Sequence, residues 1–96
     1  MQFTWDEAKN RSNQQKHDGI AFEVAVLVFR DPYRLTRQDR IEGDEERWQT
    51  IGVVAGVTML LVAHTLTEEG PVEIIRVISA RRASARERRH YESENS

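Results

Sequence analysis

The chain has 96 residues, of which 39% are hydrophobic and 31% are charged, with a formal net charge of -2. This length fits one small domain, 1–96, and the balance of apolar and charged residues is typical of a globular chain. The absence of cysteine excludes disulfides and thiolate zinc sites. The segment MQFTWDEAKN lacks the apolar core of a signal peptide, and the longest apolar-rich run, 51–63, is too short to span a membrane. We therefore expect a cytoplasmic protein with no membrane association.

The N-terminal part of the chain predicts a short strand followed by a polar helix. Gln2–Trp5 alternates polar and apolar residues, as a strand does. Asp6 is a suitable N-cap for a helix that ends near His17, before Gly19. Residues three or four apart share one face of this helix: Lys9, Asn13 and either Lys16 or His17.

A second, buried helix is predicted over 21–30, where apolar residues recur at helical spacing. Asp31-Pro32 should end it, because the residue before a proline disfavours helical geometry. An alternating strand follows over 33–38, and 39–46 is expected to be an acidic loop.

The C-terminal half predicts three strands and one helix. The strands are expected over 47–55, 57–66 and 72–78, with turns at Ala55-Gly56 and in the sequence TEEGP. Ser84 and Glu87 have the spacing of a capping box, which places a last helix at about Ala85 to Glu94. The expected fold is α+β, with two N-terminal helices packed on an antiparallel sheet of about four to five strands and a C-terminal helix.

Positive charge is concentrated near the C-terminus, although the chain is acidic overall. Six arginines lie between residues 76 and 89: Arg76, Arg81, Arg82, Arg86, Arg88 and Arg89. The guanidinium fork suits phosphate and carboxylate, so this segment favours an anionic partner. Arg76 stands within an apolar strand, where a charge is costly unless it faces a cleft or a partner. Arg76 and Arg81 are the leading functional candidates, whereas Arg86 and Arg89 also fit an ordinary solvated helix face.

Histidine is the natural general acid or base near neutral pH, and the chain has three. Their spacing fits no metal site. If the turn in TEEGP is tight, His64 pairs near Ile74 and shares a face with Arg76. Glu87 is a candidate general base, although the capping box alone explains it. Tyr91 is suited to donating a proton, to stacking on a base, or to packing against the core.

Three segments, in order, resemble the BrnT-type toxins. WDEAKNRSNQQKHDGIAFEVA resembles the start W-D-x-x-K-x-x-x-N-x-x-K-H-G-hydrophobic-x-F, and EERWQTIGVV with MLLVAHT resembles the E-x-R-x-x-x-I-G segment and the V-x-H-T-type strand. RVISARRASARERRHYE is similar to R-x-I-S-A-R-x-A-x-x-x-E-R-x-x-Y. Two positions depart from this pattern. Asp18 separates His17 from Gly19, and Ala21 replaces a frequent Ser cap, which should weaken the second helix by about 1 kcal/mol.

The resemblance implies a ribonuclease toxin with a RelE-like fold, from a bacterial type II toxin–antitoxin module, that cuts RNA without a metal or other cofactor and halts translation. It also implies a BrnA-type antitoxin with a ribbon-helix-helix domain, which would neutralise the toxin in a hetero-oligomer. That complex would repress its own operon, so DNA would be contacted only through the antitoxin. By position, the matching residues are Lys9, Asn13, Lys16, His17, Arg47, His64, Arg76, Ser79, Arg81, Glu87, Arg88 and Tyr91.

For metal-free RNA cleavage, the scissile phosphate is assigned to Arg76 and Arg81, and His64 is the first candidate for proton transfer. The remaining catalytic candidates are Glu87 and Tyr91. RNA-binding candidates are Arg47, Arg82, Arg88, Lys9, Lys16 and His17. One alternative is a non-enzymatic module whose basic patch holds an acidic protein or RNA. DNA binding by the chain itself is less favoured, because there is no helix-turn-helix pattern and the net charge is acidic.

Overall fold

The computed structural model contains six strands, three α-helices and one 3-10 helix. In chain order these are β1 (Gln2–Thr4), α1 (Glu7–Lys16), α2 (Phe22–Ala25), the 3-10 helix (Val26–Arg30), β2 (Leu35–Glu42), β3 (Glu45–Val54), β4 (Thr58–His64), β5 (Thr67–Glu69), β6 (Val72–Arg82) and α3 (Ala85–Glu94). The strands form one sheet in the order β1-β6-β4-β3-β2, and β5 also pairs with β6. The α+β class is confirmed. The expected strand number was too low, and β1 pairs parallel rather than antiparallel to β6.

The first helix begins and ends where the sequence predicted. The Asp6 carboxylate accepts hydrogen bonds from the backbone N–H groups of Ala8 and Lys9, which satisfies the first turn. The helix ends at Lys16, and the chain then reverses through two left-handed residues, Asp18 (φ 53°) and Gly19 (φ 74°). The turn therefore accommodates Asp18, since aspartate tolerates this conformation better than most residues.

The second helix is in the predicted place but is not a continuous α-helix. Only Phe22–Ala25 is α-helical, and Val26–Arg30 is 3-10. Ala21 provides no side-chain cap, as expected. Instead, Asn10 Oδ1 of α1 accepts a 2.9 Å hydrogen bond from Phe22 N. A neighbouring helix thus satisfies one of the free backbone donors in the first turn of the second helix.

Three strand predictions were wrong. The expected acidic loop 39–46 is mostly a hairpin, in which Glu42 pairs with Glu45 across a turn. The expected TEEGP turn includes β5, which pairs with the start of β6. The strand expected over 72–78 continues to Arg82, so Arg81 lies within β6 and not beyond its end. All three segments are polar, and cross-strand pairing overrode their weak local strand signal.

The sheet has two unlike faces. The helical face carries the main core, which includes Phe22, Val28, Leu60, Val62 and Val77. The opposite face is covered only by α3, which packs Tyr91 against Ile51 and Met59. Most of this second face is therefore open. No helix of the chain is long and apolar enough to cross a membrane.

A buried asparagine explains why α1 packs well although it is polar. Asn13 Nδ2 donates to the carbonyls of Ile20 and Ala80, each at 2.9 Å, and Asn13 Oδ1 accepts from Ala80 N at 3.0 Å. The side-chain amide thus pairs with the β6 backbone as a neighbouring strand would. Polar contacts, and not an apolar stripe, attach α1 to the sheet.

Candidate active site on the open sheet face

An ion pair fixes the start of α3 to the sheet. Arg81 of β6 donates from Nη1 and Nη2 to the two carboxylate oxygens of Glu87, at 2.8 and 2.9 Å. Glu87 Oε1 also accepts from Ser84 N, while Ser84 Oγ accepts from Glu87 N, so the predicted capping box is confirmed. The hydrogen bonds from Arg81, followed by those from Ser84, outweigh burial and lower the pKa of Glu87 to about 2. Glu87 is therefore ionised, and both its carboxylate oxygens already accept hydrogen bonds.

A cleft of about 750 Å³ opens between α3 and strands β2 and β3. Its floor is apolar and comes from Leu35, Ile51 and Leu61. These residues are neighbours across β2, β3 and β4, and Arg81 of β6 completes the same cross-strand row. The cleft walls contribute most of its charge: Arg34, Arg37, Arg86, Glu87, His90 and Glu94. The cleft thus joins a small apolar floor to three arginines and an imidazole.

A second arginine pair lies on the same face, beyond the cleft. Arg76 Nη2 of β6 donates to Glu45 Oε2 at 2.5 Å, and Arg47 Nε of β3 donates to Glu45 Oε1 at 3.1 Å. One carboxylate therefore bridges two guanidinium groups, and these contacts, led by the hydrogen bond from Arg76, lower the pKa of Glu45. Arg47 also lies 3.9 Å from Glu42.

His64 lies on the opposite, buried face of the sheet. Its exposed fraction is 1%, and its ring packs edge-on against Phe29. His64 Nδ1 must donate to the carbonyl of Thr65, because a carbonyl only accepts, and Nε2 lies 2.8 Å from Thr50 Oγ1. Burial lowers the pKa of His64 and favours the neutral ring. The structure therefore separates His64 from the arginines of the open face.

The predicted pairing of His64 with Ile74 was wrong. His64 pairs with Val77, while Ala63 pairs with Ser79, so β6 carries one extra residue at a bulge. The bulge leaves Val77 in the core and Arg76 on the open face. A bulge of one residue exchanges the faces of every later side chain, and the sequence carried no signal for it.

Tyr91 is buried under α3 rather than open to the cleft. Its hydroxyl donates a 2.6 Å hydrogen bond to Asp31 Oδ2. Burial, followed by this contact with Asp31, raises the pKa of Tyr91 to about 12. The side chain therefore holds α3 against the rest of the fold.

The other predicted RNA-binding residues do not line the cleft. Lys9, Lys16 and His17 belong to α1 and its C-terminus, beside the outer edge of β6. Arg82 is exposed and lies 3.6 Å from Asp18, and Arg88 is exposed on α3. The structure therefore brings together Arg81 with Glu87, and Arg47 with Arg76, but does not unite all the predicted residues in one site.

Sequence reasoning missed Arg34 and Arg37 and undervalued Arg86 and His90. On α3, residues 86, 90 and 94 repeat at every fourth position and so share a face, which was a usable signal. The place of Arg37 in the cleft could not be predicted, because its partner Gln49 lies on a strand whose register the sequence does not reveal. Arg37 Nε and Nη2 both donate to Gln49 Oε1, at 3.3 and 3.2 Å.

Two comparisons with known proteins bear on this site. Residues 5–87 match the sequence profile of the family described as ribonuclease toxin, BrnT, of type II toxin-antitoxin system. The chain belongs to the BrnT toxin family. The BrnT match covers both Arg81 and Glu87, whereas most of α3 lies beyond it.

The fold is also similar to that of a solved BrnT protein. The crystal structure of the Brucella abortus ribonuclease toxin BrnT superposes with a TM-score of 0.55 at 26% sequence identity. The match covers 88% of this chain and 97% of the Brucella chain. A comparison with curated protein sequences returns no match. Membership of the BrnT family identifies the chain as a ribonuclease toxin of a type II toxin–antitoxin system, while its RelE-like relationship stays a prediction.

Proposed function

We propose that this BrnT-family toxin is a metal-independent endoribonuclease whose active site is the cleft beneath α3, and that it inhibits translation by cutting RNA in the bacterial cytoplasm. The observation that carries the proposal is the convergence of Arg37, Arg86 and His90 on one cleft beside the Arg81–Glu87 pair. Arginines supply phosphate ligands, and a histidine supplies proton transfer.

The proposed reaction uses the ribose as its own nucleophile. The 2′-oxygen attacks phosphorus, the bond from phosphorus to the 5′-oxygen breaks, and the products are a 2′,3′-cyclic phosphate and a 5′-hydroxyl. A base accepts the proton from the 2′-hydroxyl, and an acid returns a proton to the leaving 5′-oxygen. The phosphorane between these steps carries extra negative charge, which fixed cations stabilise.

In this proposal, Arg37, Arg86 and Arg81 bind the scissile phosphate. Arg81 has five N–H donors, and three of them serve Glu87 and the Arg82 carbonyl, so two remain for a ligand. Glu87 orients Arg81, since its low pKa makes it a poor base. His90 transfers protons, because it is the histidine that lines the cleft.

The decisive experiment is cleavage of RNA oligonucleotides by purified protein in EDTA, with matched DNA as a control. We expect cut RNA with 2′,3′-cyclic phosphate ends and intact DNA. Arg86→Gln should slow cleavage by about 10² to 10³. Arg89→Gln is the matched control, because Arg89 is exposed on the same helix and does not line the cleft.

If Arg86→Gln and Arg37→Gln both cut RNA like the parent protein, the proposed site is wrong. If folded protein binds RNA but cuts none, with or without ribosomes, the non-enzymatic binding module is the correct function. Loss of activity in EDTA, restored by a divalent cation, would reject metal independence.

We also propose that a cognate antitoxin with a ribbon-helix-helix domain neutralises the protein, and that the resulting complex represses its own operon. The open sheet face and its arginines offer a surface that an acidic or apolar segment would cover while excluding RNA. Co-expression with the adjacent open reading frame should yield a complex with a higher Tm than the toxin alone. An unchanged Tm would argue against this partner.

A further inference from the structure

Arg76 and Arg81 belong to two different anion sites and do not converge on one phosphate. Each guanidinium is paired with its own carboxylate, Arg76 with Glu45 and Arg81 with Glu87. Arg81 pairs with Leu61, which pairs with Ile51, so these residues form one cross-strand row. Arg76 shares its carboxylate with Arg47, which lies four residues before Ile51 on β3 and so belongs to a second row. At about 3.3 Å per residue the two rows are about 13 Å apart, and a separate carboxylate holds the guanidinium in each row.

β4 ends between the positions of Arg47 and Arg76. Trp48 pairs with His64, the last residue of β4, and Thr65 N donates to Arg76 O at 3.0 Å. The strands that carry Arg47 and Arg76 are therefore separated by one strand position, or about 9.5 Å between backbones. Two arginine side chains reach across that gap to one small anion, and Glu45 supplies the anion here.

The Glu45 side chain lies outside the hydrophobic core. It is half-exposed, and both its carboxylate oxygens are used by guanidinium groups from the open face. The register partner of Arg47 is another arginine, Arg40, and like charges opposite each other repel. Glu42 neutralises part of this charge, since it lies 3.0 Å from Arg40 and 3.9 Å from Arg47. The three arginines of this row thus face two carboxylates, which leaves one positive charge for an anionic ligand.

We propose that Arg47 and Arg76 form a second phosphate-binding subsite for single-stranded RNA, and that Glu45 occupies it until an RNA phosphate displaces the carboxylate. This inference rests on the proposed function, since the RNA chain would run along the open face from the cleft beneath α3 to this subsite. A carboxylate held by two guanidinium groups is a close substitute for a phosphate held by the same donors. Glu45 thus lowers the affinity for RNA.

Glu45→Gln tests the proposal, with Glu46→Gln as the matched control. Glu46 is the next residue of β3, carries the same charge, is exposed and forms no ion pair. The measurement is binding of a 2′-O-methyl oligoribonucleotide, which has no free 2′-hydroxyl, by fluorescence anisotropy over a range of salt concentrations. Because binding of an uncleavable strand is measured, the result is independent of catalysis.

Glu45→Gln should bind this oligonucleotide about fivefold more tightly at low salt, because the RNA phosphate no longer has to displace a carboxylate. The slope of log K against log salt should stay close to that of the parent, since the same phosphate contact forms in both proteins. Glu46→Gln should bind with the affinity of the parent. Adding Arg76→Gln to Glu45→Gln should remove the gain. Parent-like affinity in Glu45→Gln, or an equal gain in Glu46→Gln, would overturn the subsite.

A second variant covers the case in which Glu45→Gln does not fold. Arg76→Gln alone should weaken binding and reduce the salt slope by about 0.7, and an unchanged slope would reject the subsite. Failure of the proposed function looks different. In that case the parent protein cuts no RNA, whereas the arginine subsite is judged by the salt slope for the uncleavable strand.

Discussion

Tyr91 and Asp31 are 60 residues apart in the chain, yet the Tyr91 hydroxyl donates a 2.6 Å hydrogen bond to the buried Asp31 carboxylate. Asp31 also accepts from Val53 N at 2.8 Å and from Tyr33 N at 2.9 Å. The carboxylate therefore joins the end of the 3-10 helix, β3 and α3. Because α3 forms one wall of the cleft, this contact positions the proposed active site.

Tyr91→Phe should lower the free energy of unfolding by about 1 to 3 kcal/mol, because it leaves part of a buried carboxylate unsatisfied. The ring still packs on Ile51 and Met59, so the fold should persist. Urea denaturation measures the loss, and RNA cleavage by the folded variant measures the role. Cleavage abolished without a change in stability would mean that Tyr91 is catalytic, as the sequence suggested, and not a positioning residue.

Glu87→Gln should remove an acid-dependent part of the stability. The pKa of Glu87 is lowered from an ordinary 4.5 to about 2, chiefly by Arg81. A carboxyl group with a lowered folded pKa stabilises the fold above its ordinary pKa and loses that contribution as pH falls. The difference in unfolding free energy between parent and variant should therefore be full at pH 6 and shrink toward pH 2. A difference that does not change with pH would contradict the ion pair.

Substitutions of His64 and His90 should have separate effects, one on stability and the other on catalysis. His90→Gln should slow RNA cleavage by about 10² to 10⁴ with little change in Tm, since His90 is exposed at the cleft. His64→Gln should lower Tm and leave the folded fraction active, because His64 is buried away from the open face. The reverse pattern would restore His64 as the proton-transfer residue.

The pH dependence of His64 offers a second measurement. Burial lowers its pKa, so the folded state favours the neutral ring. Its contribution to stability is present above the ordinary histidine pKa of 6.5 and is lost as pH falls below that value. The parent should therefore lose stability below about pH 6.5, and His64→Gln should lose less. Identical profiles for the two proteins would contradict this assignment.

Gly52→Ala should destabilise the protein by about 1 to 3 kcal/mol through overpacking. A Cβ at Gly52 would lie 2.9 Å from the Val28 carbonyl oxygen and 3.0 Å from Val28 Cβ. The 3-10 helix would have to move away from β3, which Tm measurement detects. Gly43→Ala is a useful contrast, because nothing lies within 4 Å of its added Cβ, although its φ of 62° makes it strained. An unaffected Gly52→Ala protein would mean that the helix moves freely.

The local features of this chain followed from its sequence. Asp6 caps α1, the Ser84 and Glu87 pair caps α3, and the apolar residues of 21–30 enter the core, because each depends on residues three or four positions apart. The family could also be read from ordered motifs along the chain. These signals depend on nearby residues or on the order of motifs along the chain, so they can be interpreted without knowledge of strand pairing.

The site depended on contacts that no local pattern contains. Alternation along β4 puts His64 in the core, one extra residue in β6 puts Arg76 on the open face, and strand register places Arg37 beside Gln49. The pairing of Glu45 with both Arg47 and Arg76 joins residues 31 positions apart. Strand register and the packing of α3 are set by the whole core together, because each strand must bury its apolar side chains on one face. The sequence therefore determined most secondary-structure elements and the family, while tertiary structure determined which charged side chains come into contact.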